Sequence, residues 1–496
     1  LLELLIGRNG LVAASIDGMT SHAEILDVAL VGGGVMSTTL GTLIRKVLPD
    51  RSIALFERLD RLAGESSGPW NNAGTGHAGL CELNYMPDAD DSSRTEQIAR
   101  QFAVSRAFWD SLTRSGDLDP SFLNAVPHMD VVFGDVDVDY LRVRWETLKS
   151  NPLFQGMEYS EDRDRIRGWA PLLVDGRAPD ERIAATWDAG GTDIDFGALT
   201  ESLGRTMEAS GCLIRTGHEV TRLRRASDGL WHLSGRVRST GRVFEVRARF
   251  VFVGAGGYAL RLLQKARVPE IRGYGVFPFG AEFLFTDAPE VVARHGVKVY
   301  GKPSLGAPPM SLPHLDRRHV DGMTSLMFGP YATFSTRLLK HGRLRDLFGT
   351  VRLRNLPILL SVGIRNLPLV RYLVGQVLAS SKRKFAELET FYPDADPAHW
   401  RLIQAGQRAQ VIKPRSRFRG DLMFGTEIVT GGDGSIAGLL GASPGASVAP
   451  GAMIEVLTRC FADDRTEWQP RVDAMLAAPV PRHDALQEQS DRYGFR

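Results

Sequence analysis

Residues 27–60 read DVALVGGGVMSTTLGTLIRKVLPDRSIALFERLD, and the chemistry this stretch can do is to hold a phosphate. Gly32 and Gly34 follow directly on Val28 to Val31, a continuous apolar run of the kind a buried parallel strand makes. Glycines at that point let the backbone approach a pyrophosphate, whose charge the N-terminus of a following helix stabilises. Glu57, 25 residues beyond Gly32, ends a second apolar run from Ser52 to Phe56 and is placed to accept from adenosine ribose hydroxyls. The third glycine of the usual pattern is Ser37 here, still small enough for close packing of helix on strand.

These residues need a β-α-β unit to position them. Met36, Leu40, Leu43, Ile44, Val47 and Leu48 recur at helical spacing and predict a helix lying on the sheet. After Glu57, where a compact NAD domain would continue its alternation of strand and helix, comes the loop GPWNNAGTGHAGLCELNY (68–85), with neither periodicity. Two further glycine turns follow apolar strands. In FVFVGAGGYALRLL, Gly254, Gly256 and Gly257 precede a helix expected from about Tyr258. In LLGASPGASVAPGAMIEVL, Ser443, Pro444, Gly445 and Ala446 precede another, whose free N–H groups can stabilise negative charge on a cofactor.

The whole chain, 496 residues with 43% hydrophobic and 24% charged, has the length and composition of a folded enzyme of two or three domains. Sixty basic against fifty-eight acidic side chains leave a net charge of +2, which argues against nucleic acid as the main partner. Cys81, Cys212 and Cys460 have no metal-ligand spacing and are odd in number, which points to a reducing compartment. The N-terminal stretch is interrupted by Glu3, Arg8 and Asp17, so neither a signal peptide nor a transmembrane helix is expected, and Met19 is a candidate start.

Three glycine turns far apart in sequence imply one discontinuous nucleotide-binding domain of Rossmann-like α/β class, expected over 25–95, 195–265 and 405–475. A mixed α+β substrate cap then falls to 96–194 and 266–404. LWHLSGRVRS and RVFEVRARFVFV alternate like paired strands able to roof a cofactor, and Ser325 to Phe328 predicts another strand after the Asp321–Gly322 turn. Within the cap, 337–384 holds eleven Lys or Arg residues and one acid, Asp346, interleaved with LPILLSVGI and LPLVRYLVGQVL. Pro357 and Pro368 divide it into pieces too short to span a bilayer, so it is expected to lie on an anionic membrane surface.

The loop RLAGESSGPWNNAGTGHAGL resembles the segment with which flavoproteins of the D-amino-acid oxidase and glycerol-3-phosphate dehydrogenase superfamily wrap FAD. With KVYGKPSLGAPPMSLPHLD, DGMTSLMFGPYA, GQRAQVIKP and FGTEIVTGGDGSIAGLLGASPGAS, it makes the chain similar to the malate:quinone oxidoreductase family over roughly residues 25 to 460. One departure is a basic insertion, PRSRFRG, after Lys413. The resemblance implies a peripheral enzyme on the cytoplasmic side of the cell membrane. It would use FAD to oxidise (S)-malate to oxaloacetate in the tricarboxylic acid cycle and pass the electrons to a membrane quinone. Oxidation of another 2-hydroxy acid such as 2-hydroxyglutarate, or a flavin-binding membrane module without turnover, are the alternatives.

It also implies roles. Ser66 and Ser67 would reach the pyrophosphate, while Asn72, Gly74 and His77 would lie along the flavin. Malate oxidation needs one base and at least two cations. His314 and His77 are the candidates for the base, with His314 favoured, and imidazole suits either role. Arg408 matches the superfamily position from which an arginine faces flavin and substrate, with Lys302 and Arg272 as further candidates for the carboxylates.

Overall fold

The computed structural model describes residues 25–302, 312–423, 425–441 and 445–477. Strand β1 (Ile25–Val31), helix α1 (Val35–Val47) and strand β2 (Ile53–Phe56) form the expected β-α-β unit, with the two strands paired in parallel. Leu40, Leu43, Ile44 and Val47 of α1 are buried in a core shared with the helices Phe196–Ala209 and Ala449–Cys460. On its other side β1 pairs in parallel with β3 (Val243–Val253), which pairs in parallel with Ile436–Gly441. The three glycine turns therefore end three neighbouring parallel strands at one edge of one eight-stranded sheet.

Gly32 shows why that edge is glycine-rich. Its φ is +105°, and a Cβ there would lie 2.4 Å from the carbonyl oxygen of Gly254, so the first two turns are in backbone contact. LWHLSGRVRS and RVFEVRARFVFV do pair antiparallel, but they extend this sheet and do not roof the site. The long β3 begins in that hairpin and ends between its parallel neighbours, so one strand serves both pairings.

The roof is a separate nine-stranded sheet. It contains β4 (Gly275–Thr286), β5 (Lys298–Tyr300), β6 (His314–Val320), β7 (Met323–Thr333) and β8 (Arg401–Pro414). β6 and β7 are a hairpin whose two turn residues, Asp321 and Gly322, both have positive φ (51° and 74°), the geometry that suits strand twist. His128–Phe133, Ile183–Asp188 and Glu158–Ser160 complete the far side, joined through β5. Strand β8 and its partner Gly420–Met423 belong to this sheet although they lie in the third segment expected for the nucleotide domain. The helix Ser93–Arg114, whose start coincides with the expected boundary at 95–96, instead packs Phe102, Phe108, Trp109 and Leu112 into the nucleotide-domain core.

A buried ionic cluster joins the two units. Asp193 sits between Lys298 of β5, at 2.9 Å, and Arg318 of β6, at 2.8 Å, and none of the three side chains is solvent-exposed. The same two cations reach on to the loop beyond Glu57: Lys298 donates to the Ala73 carbonyl at 2.8 Å, and Arg318 to those of Asn72 at 2.6 Å and Pro69 at 3.1 Å. Gly74 has φ +64°, and a Cβ there would come within 2.5 Å of the Arg318 guanidinium. Removing Asp193 would leave two buried cations facing each other, and breaking a buried pair costs about 3–5 kcal/mol. Asp193→Ala is expected to lower thermal stability by that order, measured as a fall in melting temperature; an unchanged melting temperature would show that the cluster is not a structural tie.

Candidate active site

The space between the two sheets is a cavity of about 450 Å³ whose wall carries the ends of all three glycine turns, the 63–77 loop and the near face of the cap sheet. At one end Glu57, 9% exposed, accepts from the N–H of Gly33 and of Leu59, each at 2.6 Å. Burial raises its pKa, against the pull of those two backbone donors. In the middle lies the start of α1, whose N-cap residue Gly34 offers no side chain and whose first turn has no acid. Ser67 accepts from the Val35 N–H at 3.0 Å, and Ser66 donates to the Gln407 carbonyl at 3.3 Å, so both serines line this stretch. The third turn brings Gly445, Ala446 and Ser447 to the same wall, while Ser443 and Pro444 lie outside the described residues.

At the other end are two histidines, each held by a buried carboxylate. His314 opens β6, and Asp316, two residues on, points to the same face of the strand. Their Nδ1 and Oδ2 are 2.6 Å apart. Asp316 can hold the ring in the tautomer with the proton on Nδ1, the form in which Nε2 is an acceptor. Tyr300 stacks on the His314 ring at 4.5 Å and 12°, and its hydroxyl meets Thr75 at 2.7 Å. His77 repeats the arrangement: Nδ1 is 2.5 Å from Glu82, with the Tyr85 hydroxyl at 3.2 Å from the same nitrogen. Burial, the largest single effect, raises both carboxyls, but the adjacent imidazole together with Lys298 and Arg318 at Asp316, and with His128 and Arg144 at Glu82, leaves both below the usual value.

Arg408 of β8 is half-buried, lines this end, and has no carboxylate partner among the described residues. Burial pulls its pKa down from the guanidinium value and nearby Tyr300 works against that, which leaves a desolvated cation suited to an anion. Arg94 lines the same end, 5.5 Å from the centroid of the Tyr85 ring.

Of the residues expected from sequence, the structure brings Gly32, Gly34, Glu57, Ser66, Ser67, Asn72, Gly74, His77, Gly254, Gly256, Gly445, His314 and Arg408 onto this one cavity wall. Ser37 is not on it: its hydroxyl lies 2.2 Å from where a Cβ of Gly254 would stand, so it packs α1 against the end of β3. Lys302 is not on it either, because its Nζ pairs with Asp137 at 2.6 Å and sits 4.4 Å from the centroid of the Tyr140 ring. Arg272 is exposed elsewhere. Tyr300, Glu82 and Arg94 were not anticipated; Asp316 was legible only as a neighbour of His314.

An acid at one end, a helix start free of acids and glycines in the middle, and base and cation at the other reproduce the order of ribose, pyrophosphate and reactive ring in a dinucleotide. The residues present fit FAD. A family profile described as malate:quinone oxidoreductase matches residues 24–493. The chain belongs to the malate:quinone oxidoreductase family. Relatives described as probable malate:quinone oxidoreductases include one from Micrococcus luteus, 52% identical over 93% of this chain and 94% of its own length. Another, from Geobacillus kaustophilus, is 47% identical over 91% of both. Among solved structures, the fold is shared with the L-α-glycerophosphate oxidase of Mycoplasma pneumoniae with FAD bound, at TM-score 0.59 and 16% identity, covering 88% of this chain and 95% of that one. It is shared also with the L-proline dehydrogenase of P. horikoshii, at TM-score 0.56 and 12% identity, covering 91% and 96%.

The depressed carboxyl of Asp316 carries a pH signature. A group whose folded pKa lies below its unfolded value, about 3.9 for Asp, adds stability that is fully present above that value and is lost as pH falls through the folded one. Asp316→Asn is therefore expected to be less stable than the parent at neutral pH, with the gap closing below about pH 4. Denaturation midpoints at pH 7 and below pH 4 check this, and a gap independent of pH would contradict it.

Proposed function

We propose that this chain oxidises (S)-malate to oxaloacetate with bound FAD and delivers the electrons to a membrane quinone. The observation that carries the reading is the meeting, at one end of a dinucleotide-shaped cavity, of a histidine backed by a buried carboxylate and an arginine without a carboxylate partner among the described residues. Family membership supplies the substrate pair. Bound FAD supplies the two-electron acceptor for the hydride at C2 of malate.

The chain's own residues do the rest. Nε2 of His314 takes the hydroxyl proton as the C2 carbonyl forms, and Asp316 orients the ring and stabilises the imidazolium. Arg408 binds one carboxylate with charge-assisted hydrogen bonds. Arg94, above Tyr85, takes the second, in the role first considered for Lys302. His77, tied to Glu82, keeps the 68–77 loop in place beside the ring. The division of labour follows the two sheets: the glycine turns hold the cofactor and the cap sheet holds the substrate.

The reading includes a peripheral position on an anionic membrane surface. Helices α2 (Leu356–Arg365) and α3 (Leu367–Val377) meet at an 80° bend, and no single helix among the described residues is long and apolar enough to cross a bilayer. Leu360 and Ile364 are 60% and 72% exposed on α2, flanked by exposed Arg352, Arg354, Arg365 and Arg371. The insertion PRSRFRG lies alongside, since Arg365 donates to the Gly420 carbonyl and Phe418 is exposed. Not all eleven cations face outward: Lys384 is buried against Glu282 at 2.6 Å, and Lys340 donates to Asn71 at 2.7 Å.

Anaerobic addition of (S)-malate to the holoenzyme is expected to bleach the flavin band near roughly 450 nm, and a soluble quinone to restore it. A flavin bleached by 2-hydroxyglutarate and not by malate would overturn the substrate. Arg408→Gln should weaken malate binding by about 10- to 100-fold, the worth of a hydrogen bond to a charged group, read from the malate dependence of the bleaching rate. For the membrane, Ile364→Asp is expected to lower co-sedimentation with anionic vesicles by roughly 10-fold or more, and high salt to lower it further. Equal pelleting of parent and variant would remove this surface.

A further inference from the structure

The strand face that carries Arg408 continues beyond the cavity wall. In the antiparallel register of β4 and β8, Arg408 stands opposite Phe279, Gln410 opposite Phe277 and Ile412 opposite Gly275. Directly paired residues, and residues two apart along a strand, project from the same face. Arg408, Gln410 and Ile412 therefore form one row, about 13 Å long at roughly 3.3 Å per residue, with the two phenylalanines beside it.

The far end of the row lies under the membrane-facing helix: Ile358 and Val362 of α2 pack with Ile412 and Phe277. The phenylalanines form a ladder, with ring centroids 6.5 Å apart between Phe277 and Phe279 and 6.2 Å between Phe277 and Phe334. Phe277 and Phe279 are half-buried and Phe334 is 52% exposed, so among the described residues the ladder is not sealed. Midway along it Gln410 is 1% exposed; its amide donates to the Met423 carbonyl, while its Oε1 has no hydrogen-bond partner among the described residues. A buried carbonyl oxygen without a donor is costly and marks a place where a donor belongs.

We propose that this row is the binding site of the quinone acceptor, an inference that rests on the proposed function. The apolar tail lies under α2 at the membrane face, the ring packs among Phe277, Phe279 and Phe334 short of Arg408, and Gln410 Oε1 accepts from a hydroxyl of the quinol. The exchange balances. Malate gives up two electrons and two protons, from C2 and from its hydroxyl, and the quinone gains both, its two carbonyls becoming two hydroxyls. Malate and quinone thus approach the flavin from different directions, malate at His314 and quinone along β4 and β8.

The test uses holoenzyme reduced anaerobically with dithionite, so that it does not depend on malate. Reoxidation is followed with a decyl-tailed benzoquinone and, separately, with ferricyanide, in the parent, Phe277→Ala and Phe334→Asp; the second alters an exposed side chain and spares the core. Both variants are expected to slow reoxidation by the tailed quinone roughly 10-fold or more and to leave ferricyanide unaffected. An unchanged rate with the tailed quinone, or equal slowing with both acceptors, overturns the site. Failure of malate to reduce the parent flavin would instead count against the proposed substrate, with the quinone measurement still decisive for this row.

Discussion

The structure turns on the buried cluster of Lys298, Asp193 and Arg318. Two cations from adjacent cap strands share one carboxylate, and both also donate to backbone carbonyls of the 69–73 loop. Burying three charges is unfavourable unless each is paired and its remaining donors are satisfied. Here the loop carbonyls satisfy them, so the loop, the cap sheet and the strand carrying Asp193 are fixed by a single requirement. Gly74 follows from it, since the guanidinium occupies the space a side chain would need.

That tie explains why the reactive end of the cavity is where it is. β6 alternates, so anchoring Arg318 inward also turns Asp316 and His314 inward, at two-residue steps on one face. Lys298 is 3.9 Å from Asp316 and shares in keeping it anionic, while Tyr300, two residues further along β5, stacks on the histidine. The base and its support therefore derive from the same two strands as the structural cluster. The loop held by the clamp contributes the other side, Asn72, Gly74 and His77.

Much of this was readable in the chain, for definite reasons. The glycine turns, the α1 stripe and Glu57 are local patterns with one physical meaning each, and the three turns converge because neighbouring parallel strands all end on the same side of the sheet. The β6–β7 hairpin was legible from Asp321-Gly322. What escaped depends on contacts distant in sequence. Lys298 and Lys302 stand two residues either side of Tyr300 and would share a face of one continuous strand, but β5 ends at Tyr300 and Lys302 turns away to Asp137. Asp316 two residues after His314 has no special meaning until the segment is known to be a strand. The hairpin 231–253 was misplaced as roof because alternation reports a half-buried strand and not the sheet it joins.

The assignment of the proton acceptor is tested most directly by the anaerobic rate at which (S)-malate reduces the flavin in His314→Gln and in His77→Gln, with FAD content measured in each. A general base contributes about 10²- to 10⁴-fold, and a loss of that size is predicted for His314→Gln with FAD retained, against a much smaller loss for His77→Gln. The reverse order, or a full rate in His314→Gln, would contradict it.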